Sequence, residues 1–337
     1  MLGGFESTRP GDPMSDVLAQ HHLRVHQFHG LRPGPRLLVL GAVHGNETAG
    51  TRGIERVLAE LDAGTLRIVR GSVTLVPVTN PLAYARGQRA GERNLNRKLQ
   101  PSAVPQDFED RIANRLCPLL DAHDALLDLH SFQGAGEAFV MIGPEDNEGT
   151  LEPFAHAAME ERLARHLGVR RIVDGWLSVY EAGVARRRAR TQAAGRTLDA
   201  DPNYGVGTTE YMRSRGGFAM TLECGQHEDP QAPEVAYHAI RQTLALLRLA
   251  PIELQPPRQD HEVLRLVEVV DRLHADDRFV REWASFDAVE AGEPIAVRHD
   301  GHLLAAPAAG RIVFPNRRAE PGQEWYYLAQ PSARRLA

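Results

Sequence analysis

Apolar residues along the chain fall into two kinds of run. Short, nearly unbroken runs at 36–43, 71–79, 125–130 and 218–223 read as buried strands. Between them, apolar positions recur at helical spacing over 47–63, 108–120, 151–167 and 234–249. In the first of these helices Ile54, Val57, Leu58 and Leu61 share a face among Thr48, Glu55 and Glu60, and Gly64 ends it. Gly168 caps the third. Strands that alternate with helices predict a largely parallel sheet covered on both faces. The stretch 82–101 is polar, arginine-rich and expected to be irregular. The stretch 174–217 is rich in Gly and Arg and fits neither template. A loop that long inside a compact domain is usually a functional lid or an inserted subdomain. At Pro251 the pattern changes. A linker with Pro256 and Pro257 leads into short strands at 263–270, 293–298, 302–306, 311–314 and 324–329. The expected organisation is an α/β domain over 1–250 and a small C-terminal β domain over 258–337.

With 337 residues, 42% of them hydrophobic, the chain can bury a sizeable core. A net charge of -5 argues against nucleic acid as an obligate partner, while a small anionic substrate needs only one or two local arginines. Two cysteines, Cys117 and Cys224, rule out a disulfide scaffold and fit a reducing compartment. No stretch is long and apolar enough for a membrane span, and residues 1–20 lack the apolar centre of a signal peptide. A cytoplasmic protein is expected. Residues 1–13 are expected to be weakly ordered, with Met14 an alternative start, and a homo-oligomer is left open.

Candidate chemistry sits at the ends of the predicted strands. His44 and Glu47 follow the run 36–43, and His130 follows 125–129. Two imidazoles and a carboxylate make a three-ligand zinc site with a fourth position open for water, the arrangement of catalytic zinc. Active sites of open α/β sheets also lie at the carboxyl ends of strands. Against this stands a turn histidine beside a helix-capping carboxylate. Asp128, two residues before His130 on the same strand face, could accept the free N–H of a zinc histidine and fix its tautomer. Glu223 lies in an apolar strand, where an unpaired charge is costly without a function.

Four segments extend this set: Gly41-Ala42-Val43-His44-Gly45-Asn46-Glu47, Asn94-Leu95-Asn96-Arg97, Asp128-Leu129-His130 and Thr221-Leu222-Glu223-Cys224-Gly225. In this order they resemble the succinylglutamate desuccinylase and aspartoacylase family, a branch of the zinc carboxypeptidase-like superfamily. The resemblance spans roughly residues 36–250. It implies a carboxypeptidase-like mixed sheet with helices on both faces and a β domain packed beside the active site. It implies one Zn2+ per chain on His44, Glu47 and His130, with Glu223 as general base. Asn96 and Arg97 would bind a substrate carboxylate or neighbouring polar group, and Arg89 would polarise the scissile carbonyl. Arg213, ten residues before Glu223, matches a further substrate-binding arginine, with Arg215 in competition. Tyr326, or Tyr327 beside it, would reach the substrate from the β domain.

The implied activity is hydrolysis of a small N-acyl amino acid or related N-acyl amine. A metallocarboxypeptidase acting on peptides and a non-catalytic zinc-binding homologue are the alternatives. The basic run 186–190 reads as a solvated helix face, and His21, His22, His26 and His29 as an exposed strand rather than a second metal site.

Overall fold

The structure is a computed structural model and describes residues 21–193 and 205–336. Residues 1–13, Met14 and the part of the proposed lid at 194–204 lie outside the described residues. The strands are β1 His26–His29, β2 Arg32–Gly41, β3 Arg70–Val76, β4 Ala125–Phe132, β5 Phe139–Met141, β6 Arg171–Asp174, β7 Phe218–Gln226, β8 Glu262–Asp271, β9 Arg278–Phe279, β10 Ala288–Val289, β11 Pro294–Val297, β12 Leu303–Ala305, β13 Gly310–Val313 and β14 Glu324–Pro331. The described helices are α1 Ala49–Asp62, α2 Pro81–Arg86, α3 Phe108–Asp121, α4 Ala157–His166, α5 Trp176–Ala193, α6 Thr208–Ser214 and α7 Ala232–Leu246.

Eleven strands form one mixed sheet in the order β1-β3-β2-β4-β7-β5-β6-β8-β14-β13-β10, and β12-β11-β9 form a separate antiparallel sheet. Its centre is parallel: β2 pairs with β3 and β4, and β4 with β7. Every residue of β4 is buried, as expected of a strand covered on both faces. Alternation along the strands sends side chains to two cores. Leu37, Val39, Leu127 and Leu129 meet α1, α4 and α7 on one face. Leu38, Leu40 and Leu126 meet α3 and α6 on the other.

The C-terminal segment does not hang free of this sheet. β8 adds to β6 in parallel, and β14 then pairs antiparallel with β8, so main-chain hydrogen bonds run across the 251–257 linker. The stretch 82–101 is irregular except for α2, which begins at Pro81 with Asn80 capping Ala83 N. The unassigned 174–217 stretch contains α5 and α6. In the 186–190 run Arg187 turns inward to Asp271 at 2.6 Å and Glu324 at 3.2 Å, so this part of the helix is not a solvated face. β1 is a half-exposed edge strand carrying His26 and His29, and no metal-holding group forms there among the described residues. No helix among the described residues is long and apolar enough to cross a membrane.

Candidate active site

Parallel pairing brings the carboxyl ends of β2, β4 and β7 together, and these ends carry the candidate residues. The register sets His130 of β4 directly beside Glu223 of β7. Neighbouring strands are about 4.8 Å apart, so the two side chains are forced into proximity. After β2 the chain turns sharply through Ala42, at φ 45°, to His44 and Glu47 ahead of α1. Gly45 is required in this turn, since a Cβ there would lie 2.0 Å from the carbonyl carbon of Ala83.

His44, Glu47 and His130 are buried, and one ligand atom of each lies within 4.8 Å of the others. The Nδ1 of His130 is 2.9 Å from Glu47 Oε2. The Nδ1 of His44 is 2.9 Å from Glu47 Oε1, but without hydrogen-bond geometry. Arg89 Nη1 also donates to Glu47 Oε1 at 2.9 Å, and Ser131 N donates to Oε2 at 3.2 Å.

The outer nitrogens of both imidazoles are held by acceptors. His44 Nε2 donates to Asn94 Oδ1 at 3.0 Å, and the same oxygen accepts from Asn96 N at 2.9 Å. His130 Nε2 donates to Asp128 Oδ2 at 2.9 Å. Nε2 therefore carries the hydrogen in both rings, which directs both Nδ1 atoms at Glu47. Thr208, the first residue of α6, joins these two supports. Its backbone N donates to Asn96 Oδ1 at 2.8 Å, and its hydroxyl donates to Asp128 Oδ2. The carbonyl end of Asn96 thus serves this frame and leaves Nδ2 for other partners. Gly207 makes room for it, because a Cβ at that position would lie 2.1 Å from Asn96 Oδ1. Nothing in the sequence pattern marks Thr208, because its partners are distant along the chain.

Burial, with Arg89 nearby, lowers the His44 pKa to about 4. Burial works against a charge on His130 as well, but Asp128 and Glu47 raise its pKa well above the ordinary value. For Glu47 burial is outweighed by the imidazoles, which hold its pKa well below the carboxylate range. Of the two rings, His130 supplies the compensating charge. The donor set of two nitrogens and one carboxylate fits zinc. An unprotonated Nδ1 facing a carboxylate, as at His44, fits a cation between them better than it fits either group alone.

Glu223 lies beside this cluster, and its Oε2 is buried without a partner among the described residues. Burial raises its pKa to about 8, although His130 opposes the shift. His44, Glu47, Arg89, Asn96, Arg97 and Glu223 all line one cavity of about 560 Å³. Trp176, Thr209, Glu210 and Arg213 of the 174–217 stretch line it too. Sequence reasoning missed His227, which lines the same cavity and pairs its Nδ1 with Ser131 Oγ at 2.8 Å.

Two expectations change. Tyr326 packs in the C-terminal core against Phe279 and Trp325, whereas Tyr327 lines the cavity and stacks on Trp176 at 5.5 Å. The tyrosine at the site is therefore Tyr327. Arg213 touches the cavity, but its guanidinium is enclosed by Glu152, Glu160 and Glu210. Arg215 pairs with Asp121 on the surface.

The succinylglutamate desuccinylase/aspartoacylase catalytic domain model matches residues 33–159. A succinylglutamate desuccinylase of Pseudomonas aeruginosa is 26% identical, with 94% of this chain and 90% of the relative covered. Among solved structures, a succinylglutamate desuccinylase/aspartoacylase from Rhodobacter sphaeroides superposes with a TM-score of 0.69 at 15% identity, covering 93% of this chain and 90% of that one. The product-bound ectoine utilization protein EutE (DoeB) from Ruegeria pomeroyi gives 0.65 at 18% identity, covering 91% and 88%. At such identities the solved structures speak for the fold alone. The domain match over 33–159 and the relative aligned along most of the chain go further, and together they make the chain similar in sequence to the succinylglutamate desuccinylase/aspartoacylase family.

Proposed function

We propose that this protein is a zinc-dependent amidohydrolase that removes the acyl group from a small N-acyl amino acid or related N-acyl amine. The observation that carries this reading is the convergence of His44, Glu47 and His130 next to Glu223 at one wall of the cavity. His44, Glu47 and His130 would hold one zinc ion per chain, which when bound would supply Lewis acidity and lower the pKa of a water to about 7. Glu223 takes a proton from the attacking water and returns it to the departing amine as the C–N bond breaks. Arg89 faces the negative charge that develops on the carbonyl oxygen, where removing one donor typically costs about a hundred- to a thousand-fold in rate. Residues 1–250 supply this machinery, and 258–337 complete the cavity wall through Phe314, Glu324 and Tyr327. The buried free thiols of Cys117 and Cys224 accord with a cytoplasmic location. The direct test is zinc content measured with amine release from a panel of N-acyl amino acids. A zinc-free protein, or a zinc-loaded one that releases no amine, would reject the reading.

Arg97 is assigned to a substrate carboxylate. Its Nε donates to Tyr180 OH at 3.3 Å and its Nη1 to Asn96 O at 2.8 Å, which uses two of its five N–H donors. Lysine cannot reproduce the guanidinium fork. Loss of one charge-assisted hydrogen bond, about 1.5–3 kcal/mol, corresponds to roughly a 10- to 100-fold rise in KM. Steady-state kinetics of Arg97→Lys on the best substrate checks this, and an unchanged KM would remove the assignment.

Thr208 is a positioning residue for both histidines. Thr208→Val keeps the shape and removes the hydroxyl that holds Asp128. Such outer partners typically contribute 10- to 100-fold in metal affinity or activity, so zinc affinity measured by chelator competition should fall by about that factor. Thr208→Ser should restore it. Equal affinity in all three proteins would show that the network is only structural.

The 174–217 stretch is proposed to set substrate choice, since Trp176 and Glu210 stand in the cavity wall. Trp176→Ala, which leaves Gly207 and Thr208 in place, should leave zinc bound and reorder the acyl preferences. An unchanged rank order would reject this.

A further inference from the structure

The guanidinium groups along the cavity differ in what they have left to offer. A guanidinium has five N–H donors, and Arg213 has spent its own. Its Nε donates to Glu160 Oε1 at 2.8 Å. Its Nη1 donates to Glu152 Oε1 at 2.9 Å and Glu210 Oε1 at 3.5 Å. Its Nη2 donates to Glu160 Oε2 at 3.4 Å and Ala219 O at 2.8 Å. The residue is 5% exposed. Three carboxylates around one buried arginine leave no positive charge for a ligand. Removing Arg213 from them would also strand buried acidic groups, which is strongly unfavourable. This site is closed to substrate.

Arg97 is open but attenuated. Its Nε donates to Tyr180 OH, which in turn donates to Glu324 Oε1 at 2.9 Å. Arg187 donates to the same oxygen at 3.2 Å. Glu324 itself lines the cavity. Arg89 gives Nη1 to Glu47 Oε1, is half exposed, and in the proposed reaction directs its remaining donors at the carbonyl oxygen rather than at a carboxylate. Among the described residues, with Arg89 assigned to the carbonyl oxygen, the cavity wall thus presents Arg97 as the guanidinium for one carboxylate. A second carboxylate would meet Glu210 or Glu324. Like charges juxtaposed across a binding surface disfavour the complex.

We propose that the cavity selects N-acyl substrates bearing a single carboxylate, bound by Arg97, and discriminates against those bearing two or more. This rests on the N-acyl hydrolase reading. It narrows the substrate class to N-acyl amino acids with neutral or basic side chains and uncharged acyl groups.

The test uses a near-isosteric pair, N-acetylglutamine with one carboxylate and N-acetylglutamate with two, and the larger N-succinylglutamate with three. The zinc-loaded full chain should show the highest kcat/KM on N-acetylglutamine. At least a tenfold drop to N-acetylglutamate is expected, and a further drop to N-succinylglutamate. Glu324→Gln should narrow the glutamine-to-glutamate gap by threefold or more. A wild-type preference for N-acetylglutamate or N-succinylglutamate overturns the inference. A parallel arm measures free glutamine and free glutamate binding by calorimetry. Tighter binding of glutamate overturns the inference whatever the turnover. Failure to hydrolyse any of the three while glutamine binds more tightly sinks the hydrolase reading and leaves the charge preference supported.

Discussion

Glu223→Gln is expected to retain zinc and fold while losing amide hydrolysis by roughly a hundred- to ten-thousand-fold, the range that a general acid–base group contributes. The amide is isosteric with the carboxylate but can neither accept the proton of water nor return it to the amine. The environment explains why the loss should be specific. Glu223 is buried, its Oε2 has no hydrogen-bond partner among the described residues, and it sits opposite His130 in the β4–β7 register. A carboxylate so placed contributes little to folding, because burial disfavours its charged form. The glutamine variant should therefore unfold at the same temperature or higher. Three measurements decide the matter: kcat on the best panel substrate, zinc stoichiometry, and the thermal transition. Near-normal turnover would show that another residue moves the proton. A fall in zinc content would show instead that Glu223 belongs to the metal-binding set.

The parts of this fold that were legible in the sequence are those dictated by local pattern. β2, β4 and β7 are buried runs and α1, α3 and α7 are amphipathic, so their periodicity alone predicts them. The strand-end positions of His44 and His130 follow from the same reading. What remained hidden depends on distant pairing. The choice between Tyr326 and Tyr327 is an example. Regular alternation would place Glu324 and Tyr327 on opposite faces, yet both line the cavity. The β14–β8 register shifts between Glu324 and Tyr326, and such an irregularity re-aims the side chains that follow. No local pattern announces it. Arg213 was legible as a residue near Glu223 but not as a sequestered one, because Glu152 and Glu160 reach it from more than fifty positions away. α5 was missed because Gly183 and the alternating Ala and Arg residues blur any apolar stripe. Its inward Arg187 is explained only by Asp271 and Glu324 of strands that lie later in the chain.

His44→Ala and His130→Ala are each expected to abolish stoichiometric zinc binding, because either change leaves two protein ligands where a catalytic site uses three. The supports of the deleted ring fail with it. Among the described residues, without His130 Asp128 Oδ2 keeps only Thr208, and without His44 Asn94 Oδ1 keeps only Asn96 N. Loss of binding must be separated from loss of folding, and linkage offers a way. A ligand that binds only the folded state stabilises it by about 4.1 kcal/mol at a thousand times its Kd. Added zinc should therefore raise the melting temperature of the wild-type protein. It should leave the melting temperature of either variant unchanged, while circular dichroism still reports the α/β fold. Metal analysis after dialysis gives the stoichiometry directly: one zinc per wild-type chain and none per variant chain. Retention of stoichiometric zinc by His44→Ala or His130→Ala would mean that the ion is held elsewhere, and the assignment of His44, Glu47 and His130 as its ligands would be wrong.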